Sequence, residues 1–352
     1  MKVVIIGAGV AGLGIGWRLL QAGAQVTILD RGLPAQGASW AAAGMLALIA
    51  ELQEAPAAER ELALQSSELW SGFAAELEQA SGRGIGLVRG GALLLSEDAA
   101  RLDALDGRGQ LVDAAAARAL APMLADGVTG GLWVADEARV DNRALGEALT
   151  IAFQKAGGTL LAQEAAVAIE THGGATSVMT PYGRHYADAL VIAAGAWSRL
   201  LGDIPVKPVK GEMIALAPPD GAAMPGPVIW GNGVYLVPRE TGGEPRLLVG
   251  ASMEEKGFDT QLSGAVRDAL RANAESVIPA LKNWTLTDHW AGLRPRSPDG
   301  LPLLGLLRDN IFVAGGQFRN GILLAPVIAD AMAGLVLGKN KINPAFDPRR
   351  FA

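Results

Sequence analysis

The chain has 352 residues, half of them hydrophobic, enough for two domains of ordinary size and too apolar for wholesale disorder. Thirty Lys and Arg against 36 Asp and Glu leave a formal charge of −6 without basic runs, which argues against nucleic-acid binding. Cysteine is absent and only three histidines occur, His172, His185 and His289; disulfides, thiolate chemistry and iron–sulfur clusters are excluded, and a His-rich metal site is disfavoured.

The apolar N-terminus is broken by Gly7, Gly9, Gly12, Gly14 and Gly16, and no basic segment leads into a long Leu-rich stretch, so no signal peptide is expected. Pro326 and Asp330 interrupt the one long apolar run near the C-terminus, leaving no stretch of the roughly 18 to 20 residues a membrane helix needs. The expectation is a soluble, cytoplasmic α/β protein.

Lys2–Ile6 (KVVII) is a β-branched run of the kind buried on both faces of a parallel sheet. Gly7-Ala8-Gly9-Val10-Ala11-Gly12 follows, then a helical stretch to Gln21, a stop at Gly23, and a second strand, Gln25–Leu29, closed by Asp30 and Arg31. This is a βαβ unit with turn glycines and a terminal acid where a dinucleotide-binding fold needs them. Gly7 permits the turn, Gly9 admits a pyrophosphate, and Gly12 lets helix and strand approach. The helix N-terminus offers free N–H groups to phosphate, and Asp30 would accept from a ribose hydroxyl. The competing reading is a plain structural turn. The fingerprint does not distinguish FAD from NAD.

The small-residue block Ala38-Ser39-Trp40-Ala41-Ala42-Ala43-Gly44-Met45-Leu46 admits two readings, a second cofactor contact or a close helix–helix crossing. Residues 57–80 predict one helix with Leu62, Leu69, Phe73 and Leu77 on a stripe. Residues 90–96 and 131–135 predict strands, and 97–105 and 113–120 predict helices. Residues 141–156 predict a helix capped by Asp141. Short strands are expected at Thr159–Leu161 and 165–169, with Val167 on a second nucleotide-facing strand. A buried parallel strand at 188–193 ends in Ala194-Gly195-Ala196-Trp197-Ser198, which should face the cofactor, since ligands sit beyond the carboxyl ends of such strands. From 204 to 290 the chain is Pro-rich and alternating, with antiparallel strands expected at 212–216, 234–238, 246–252 and 284–290 and a hairpin turn at Thr241-Gly242-Gly243. A βα signature returns with a strand at 311–314, the turn Gly315-Gly316 and a helix at 322–337.

The fold class expected is therefore α/β: a Rossmann-type nucleotide-binding domain with an inserted antiparallel-sheet substrate domain. Residues 1–83, 142–203 and 291–352 would form the first, discontinuous domain, and 84–141 and 204–290 the second.

Four blocks carry a resemblance over nearly the whole length: GAGVAGLGIGWRLLQAGAQVTILD at 7–30, ASWAAAGMLA at 38–47, HWAGLRPRSPDGLPLLG at 289–305 and GQFRNGILLAPVIAD at 316–330. The chain resembles the FAD-dependent amine and D-amino-acid oxidases, most closely the glycine oxidases of thiamine biosynthesis. The second and fourth blocks point to that branch. The resemblance implies FAD, held without a covalent thiol link because no cysteine exists. It adds Ser39, Ala42, Ala43, Gly44 and Met45 to the cofactor contacts, with Gly316, Arg319, Asn320, Gly321, Ile322 and Leu323 from the last block. One departure stands out: glycine oxidases commonly carry His where this chain has Gln317, which hydrogen-bonds but cannot become cationic.

For the chemistry, the resemblance places Arg294 at the substrate carboxylate and near the cofactor. A guanidinium fork suits a carboxylate as a lysine does not. The alternative is a loop surface arginine, a role Arg296 fills more readily. Tyr235 matches the tyrosine that assists at the same carboxylate; otherwise it is a core tyrosine. Met253 matches a pocket-lining position and would otherwise be core filler, and Arg319 matches a second active-site arginine or else a surface charge at a helix start. Residues 319–323 would open the last helix, its dipole facing the flavin's pyrimidine edge. Met45 and Ala47 would line the pocket, and His289 is read as a structural strand-end histidine. The implied activity is oxidation of glycine, sarcosine and small D-amino acids by hydride transfer to flavin, giving the imine, then the 2-oxo acid and ammonia, with oxygen reduced to peroxide. A dehydrogenase of D-amino acids or proline using a quinone or protein acceptor is the alternative, and a non-catalytic FAD-binding protein is a third reading. Partners would be the small amine and oxygen, with a homo-oligomer expected.

Overall fold

The computed structural model describes residues 1–51, 55–95, 109–172, 175–241 and 243–351. The helix expected at 97–105 and Gly242 of the expected hairpin turn lie outside these residues.

Lys2–Ile6 is an interior strand of a six-stranded sheet ordered Leu303–Arg308, Ile311–Gly315, Ala189–Ile192, Lys2–Ile6, Gln25–Leu29, Thr159–Leu161. All neighbours are parallel except the first pair, which is a hairpin. Alternation along the strand explains the unbroken apolar run. Val3 and Ile5 pack with the helices Val10–Gln21, Ala57–Ser81, Asn142–Lys155 and Ala325–Val336 on one face. Val4 and Ile6 pack on the other face, with Val178 and Ala187 of a three-stranded antiparallel layer. That layer, Ala168–His172, Ala175–Thr180 and Gly183–Ala187, was not anticipated beyond its first strand. Its residues are polar and alternate weakly, so the local pattern is poor.

An eight-stranded sheet is ordered Thr285–Arg296, Lys207–Ala217, Arg246–Gly250, Val234–Arg239, Val228–Gly231, Ala92–Leu95, Gly130–Val134, Gln110–Asp113. Its pairs are antiparallel except Val228–Gly231 with Ala92–Leu95. The period of two decides the two faces. Ile214, Leu216, Val234 and Leu236 face the helix Gly264–Val277, which the Pro-rich composition had concealed. Met213, Ala215, Tyr235 and Val237 face the block around Ala41 and Ala43. The strand Thr285–Arg296 runs unbroken through the domain boundary expected at 290/291.

Two further expectations shift. Leu69 is exposed on the helix Ala57–Ser81, where Trp70 and Ser66 complete the buried stripe instead. The last helix begins at Ala325, with Leu324 as cap, because Pro326 is favoured in the first turn and Asn320-Gly321 favour a turn before it. Asp141 caps Asn142–Lys155 as expected, accepting from Arg143 N and Ala144 N. Among the described residues no helix is long and apolar enough to cross a membrane.

Candidate active site

A cleft of about 570 Å³ runs from the carboxyl ends of the six-stranded sheet to the inner face of the eight-stranded sheet. Its sheet end is built by the first βαβ turn. Gly7 has φ +110°, and a Cβ on it would stand 2.3 Å from the Ala193 carbonyl oxygen. A Cβ on Gly12 would stand 1.9 Å from the Gly7 carbonyl oxygen, so helix and turn touch backbone to backbone only because Gly12 lacks a side chain. Asp30 pins this turn: its Oδ2 accepts from Ala8 N at 2.7 Å and its Oδ1 from Gly32 N at 2.8 Å. Ser39 Oγ accepts from Val10 N at 3.1 Å, tying the small-residue block to the helix N-terminus. The cap, Gly9, carries no side chain, so first-turn N–H groups remain for an anionic ligand. At the mouth, the Arg31 guanidinium lies 4.0 Å above the Trp197 ring, which also stacks on Phe258 at 5.5 Å.

The far end carries the charged groups. Arg294 Nη1 donates to the carbonyls of Ser252 (3.1 Å) and Lys210 (3.4 Å). Among the described residues it has no carboxylate within ion-pair distance. The guanidinium lies flat on Gly211, where a Cβ would stand 2.1 Å from Nη1. The supporting strands are locked by a buried network behind the cleft: Glu212 meets Lys210 Nζ at 2.6 Å and His289 Nε2 at 2.7 Å, and its N–H donates to Ser252 Oγ. Lys210 and His289 hold the Glu212 carboxyl below its ordinary value against the upward push of burial. Tyr235 also lines the cleft, its hydroxyl 3.7 Å from Met213 Sδ. Burial pushes its phenol up and Arg294 opposes that push, so the group stays protonated near neutrality.

Arg319 Nε approaches Glu51 Oε2 at 2.5 Å, with Glu51 8 % and Arg319 35 % exposed. Burial raises the Glu51 carboxyl above its ordinary value, and the attraction of Arg319 and then Arg294 offsets only part of that push. The segment bearing Glu51 is held from behind by Glu137, whose Oε1 accepts from Ile49 N (2.8 Å) and Ala50 N (3.1 Å).

Of the cofactor and substrate positions expected from the sequence, all line this cleft except Gly12, Val167, Gly316 and Leu323. Gly12 sits behind the turn in the packing position described. Val167 is 62 % exposed and donates its N–H to Met179 O, on the antiparallel layer rather than a nucleotide-facing strand. Gly316 turns the chain behind the cleft against Leu303 and Ser297. The carbonyl of Leu323 faces the long helix, accepting from Ser66 Oγ (2.7 Å) and Trp70 Nε1 (2.9 Å). Met253 stands at the rim, 55 % exposed, so it is not core filler. Residues 319–323 form a turn, so the helix dipole starts one turn further from the cleft than expected. Sequence reasoning missed Glu51 and Gly211. A lone acid ending the apolar stretch 38–50 was the available signal for Glu51; Gly211, between Lys210 and Glu212, gave none.

A glycine-lined anion cradle that opens onto a partly buried arginine and tyrosine defines a dinucleotide-binding site joined to a cavity with a cation and a phenol in its wall. The chain belongs to the FAD dependent oxidoreductase (DAO) family, which matches residues 2–335. The bifunctional protein ThiO/ThiG of Synechocystis sp. is 40% identical over 359 residues, covering 99% of this chain and 54% of that protein, so the chain spans about half that relative's length. The glycine oxidase of Geobacillus kaustophilus is 34% identical over 369 residues, covering 99% of this chain and 96% of that one. The crystal structure of glycine oxidase from Geobacillus kaustophilus superposes with a TM-score of 0.93, at 32% identity and 99% coverage of both chains.

The residues present fit FAD. The cradle is kept open by Gly9, where a Cβ would stand 3.2 Å from Ser39 Oγ in the cleft wall. Gln317 Nε2, buried in the same wall, has no acceptor among the described residues and is left to donate to a ligand. The first-turn N–H groups of Val10–Gln21 would hold the pyrophosphate, and Asp30 keeps lone pairs free for a ribose hydroxyl. Among the described residues no group of His, Cys, Asp or Glu could hold a metal ion.

Proposed function

We propose that this chain oxidises glycine and comparably small amines bearing one carboxylate, such as sarcosine and small D-amino acids, with oxygen as the acceptor. The net reaction converts glycine, oxygen and water to glyoxylate, ammonia and hydrogen peroxide. Bound FAD supplies a two-electron acceptor for the carbon–hydrogen bond beside the amine. Arg294 binds the carboxylate through its planar fork, held by two backbone carbonyls and with no carboxylate of the described residues within ion-pair distance. The protonated Tyr235 hydroxyl donates to the same carboxylate, and Met45, Met213 and Met253 close the space around a short side chain. Positioning and charge do the work here, since hydride removal asks little acid–base chemistry of the protein.

The observation that carries this reading is the placement of Arg294 and Tyr235 in one cleft with the glycine cradle. The named relatives support the substrate class. The partition into a FAD-binding body (1–83, 142–203, 291–352) and a substrate-binding body (84–141, 204–290) belongs to the same proposal, with the later boundary moved past Arg296. We also propose a homo-oligomer and a cytoplasmic location. The test is an anaerobic titration of the FAD-loaded protein with glycine. Bleaching of the visible flavin band, reversed by air with release of peroxide, is expected. A flavin that stays oxidised with every small amino acid and amine tried refutes the activity, and one that is reduced but ignores air refutes the oxidase half.

A further inference from the structure

The cleft holds a second arginine that the proposed carboxylate clamp does not use, and beside it a carboxylate that no step of the oxidation uses. We infer that Glu51 screens Arg319 and thereby restricts the site to substrates with a single carboxylate. The inference rests on the activity proposed above and names the charge class that the same site accepts.

Two guanidinium groups at the far end of the cleft, Arg294 and Arg319, would by themselves suit a dianion. Glu51 changes that. It is nearly buried and lies 2.5 Å from Arg319 Nε. Burial raises its carboxyl, and Arg319 first and then Arg294 offset part of that push, so its charge is felt by both arginines. With Glu51 ionised, the two arginines and this carboxylate leave one net positive charge facing the substrate. A monocarboxylate neutralises it, whereas a second carboxylate would meet an already paired Arg319 and Glu51 itself. Rejection by a like charge is a cheap route to specificity where the competing ligand is only slightly larger. The pair is also built to persist, because Glu137 anchors the backbone of Ile49 and Ala50 immediately before Glu51.

The test uses two unreactive probes, acetate and malonate, titrated calorimetrically into the FAD-loaded wild type, Glu51→Gln, Arg319→Gln and the double variant. Glycine reduction of wild type is run alongside and reports separately on the proposed activity. Glu51→Gln is expected to tighten malonate relative to acetate by about tenfold, the scale of one unit charge at several ångströms in a partly hydrated cleft. The double variant, again with one net positive charge, is expected to return the ratio to the wild-type value, which a merely structural role for Glu51 would not do. Arg319→Gln, which leaves Glu51 unscreened, should weaken both probes and malonate more, and it serves where Glu51→Gln does not fold. An unchanged malonate-to-acetate ratio in Glu51→Gln or Arg319→Gln, or a double variant that keeps the altered ratio, overturns the inference even if glycine reduces the wild-type flavin.

Discussion

Replacing Glu137 by Gln should stabilise this protein at alkaline pH and leave it unchanged in acid. Glu137 is 3 % exposed, and burial pushes its carboxyl from 4.5 to about 7 against the pull of the Ile49 and Ala50 amides. Below pH 4.5 the side chain is protonated in both folded and unfolded chains and contributes nothing. Between 4.5 and about 7 the folded protein holds a proton that the unfolded chain has lost, so stability falls as pH rises through that window. Above it the penalty is complete at ~3 kcal/mol, since each tenfold change in proton affinity between the two states is worth ~1.4 kcal/mol. Glutamine removes the charge yet keeps the carbonyl oxygen, and both amides bond to a single oxygen of Glu137, so neither is orphaned. Urea unfolding read at pH 4.5 and pH 8 measures the effect. The wild type and Glu137→Gln should agree at the lower pH, and the variant should lead by ~2 to 3 kcal/mol at the higher. A variant less stable than wild type at pH 8, or a difference independent of pH, would show that the amide bonds to the ionised carboxylate outweigh its burial.

Arg294→Lys should lower kcat/KM for glycine by roughly a hundredfold or more, because a point charge replaces a two-pronged clamp; steady-state peroxide release measures it, and a loss below threefold removes Arg294 from the carboxylate. Gly211→Ala would set a methyl 2.1 Å from Arg294 Nη1, so acetate affinity should fall by about tenfold while the flavin spectrum is retained. Gly12→Ala would set a methyl 1.9 Å from the Gly7 carbonyl, so the protein should purify colourless and regain no visible flavin band with added FAD; a yellow variant would show that the turn can relax.

Much of the first domain was legible because its signals are local. Lys2–Ile6, Val10–Gln21 and Gln25–Leu29 fall where the βαβ pattern puts them, since a fully buried parallel strand must be continuously apolar and a turn under a pyrophosphate must be Gly-rich. Asp141 as a cap was equally local. The antiparallel layer at 168–187 and the helix Gly264–Val277 were not legible, because a polar layer and an amphipathic helix in Pro-rich surroundings owe their form to the sheets they cover.

The sequence by itself determined the α/β class, the nucleotide cradle and the small-residue block, each of which depends on neighbours within about 30 residues. The likeness of four blocks to a flavin oxidase family carried Arg294 and Arg319 with it, and Tyr235 was matched to the same family outside those blocks. Only the tertiary structure decided what those arginines face. Arg319 meets Glu51 from a segment more than 260 residues earlier, and Arg294 lies flat on Gly211 from the neighbouring strand. Charge pairing and close packing act through space and leave no periodic trace in the chain, so the selectivity of the cleft is written in its folding rather than in any one motif.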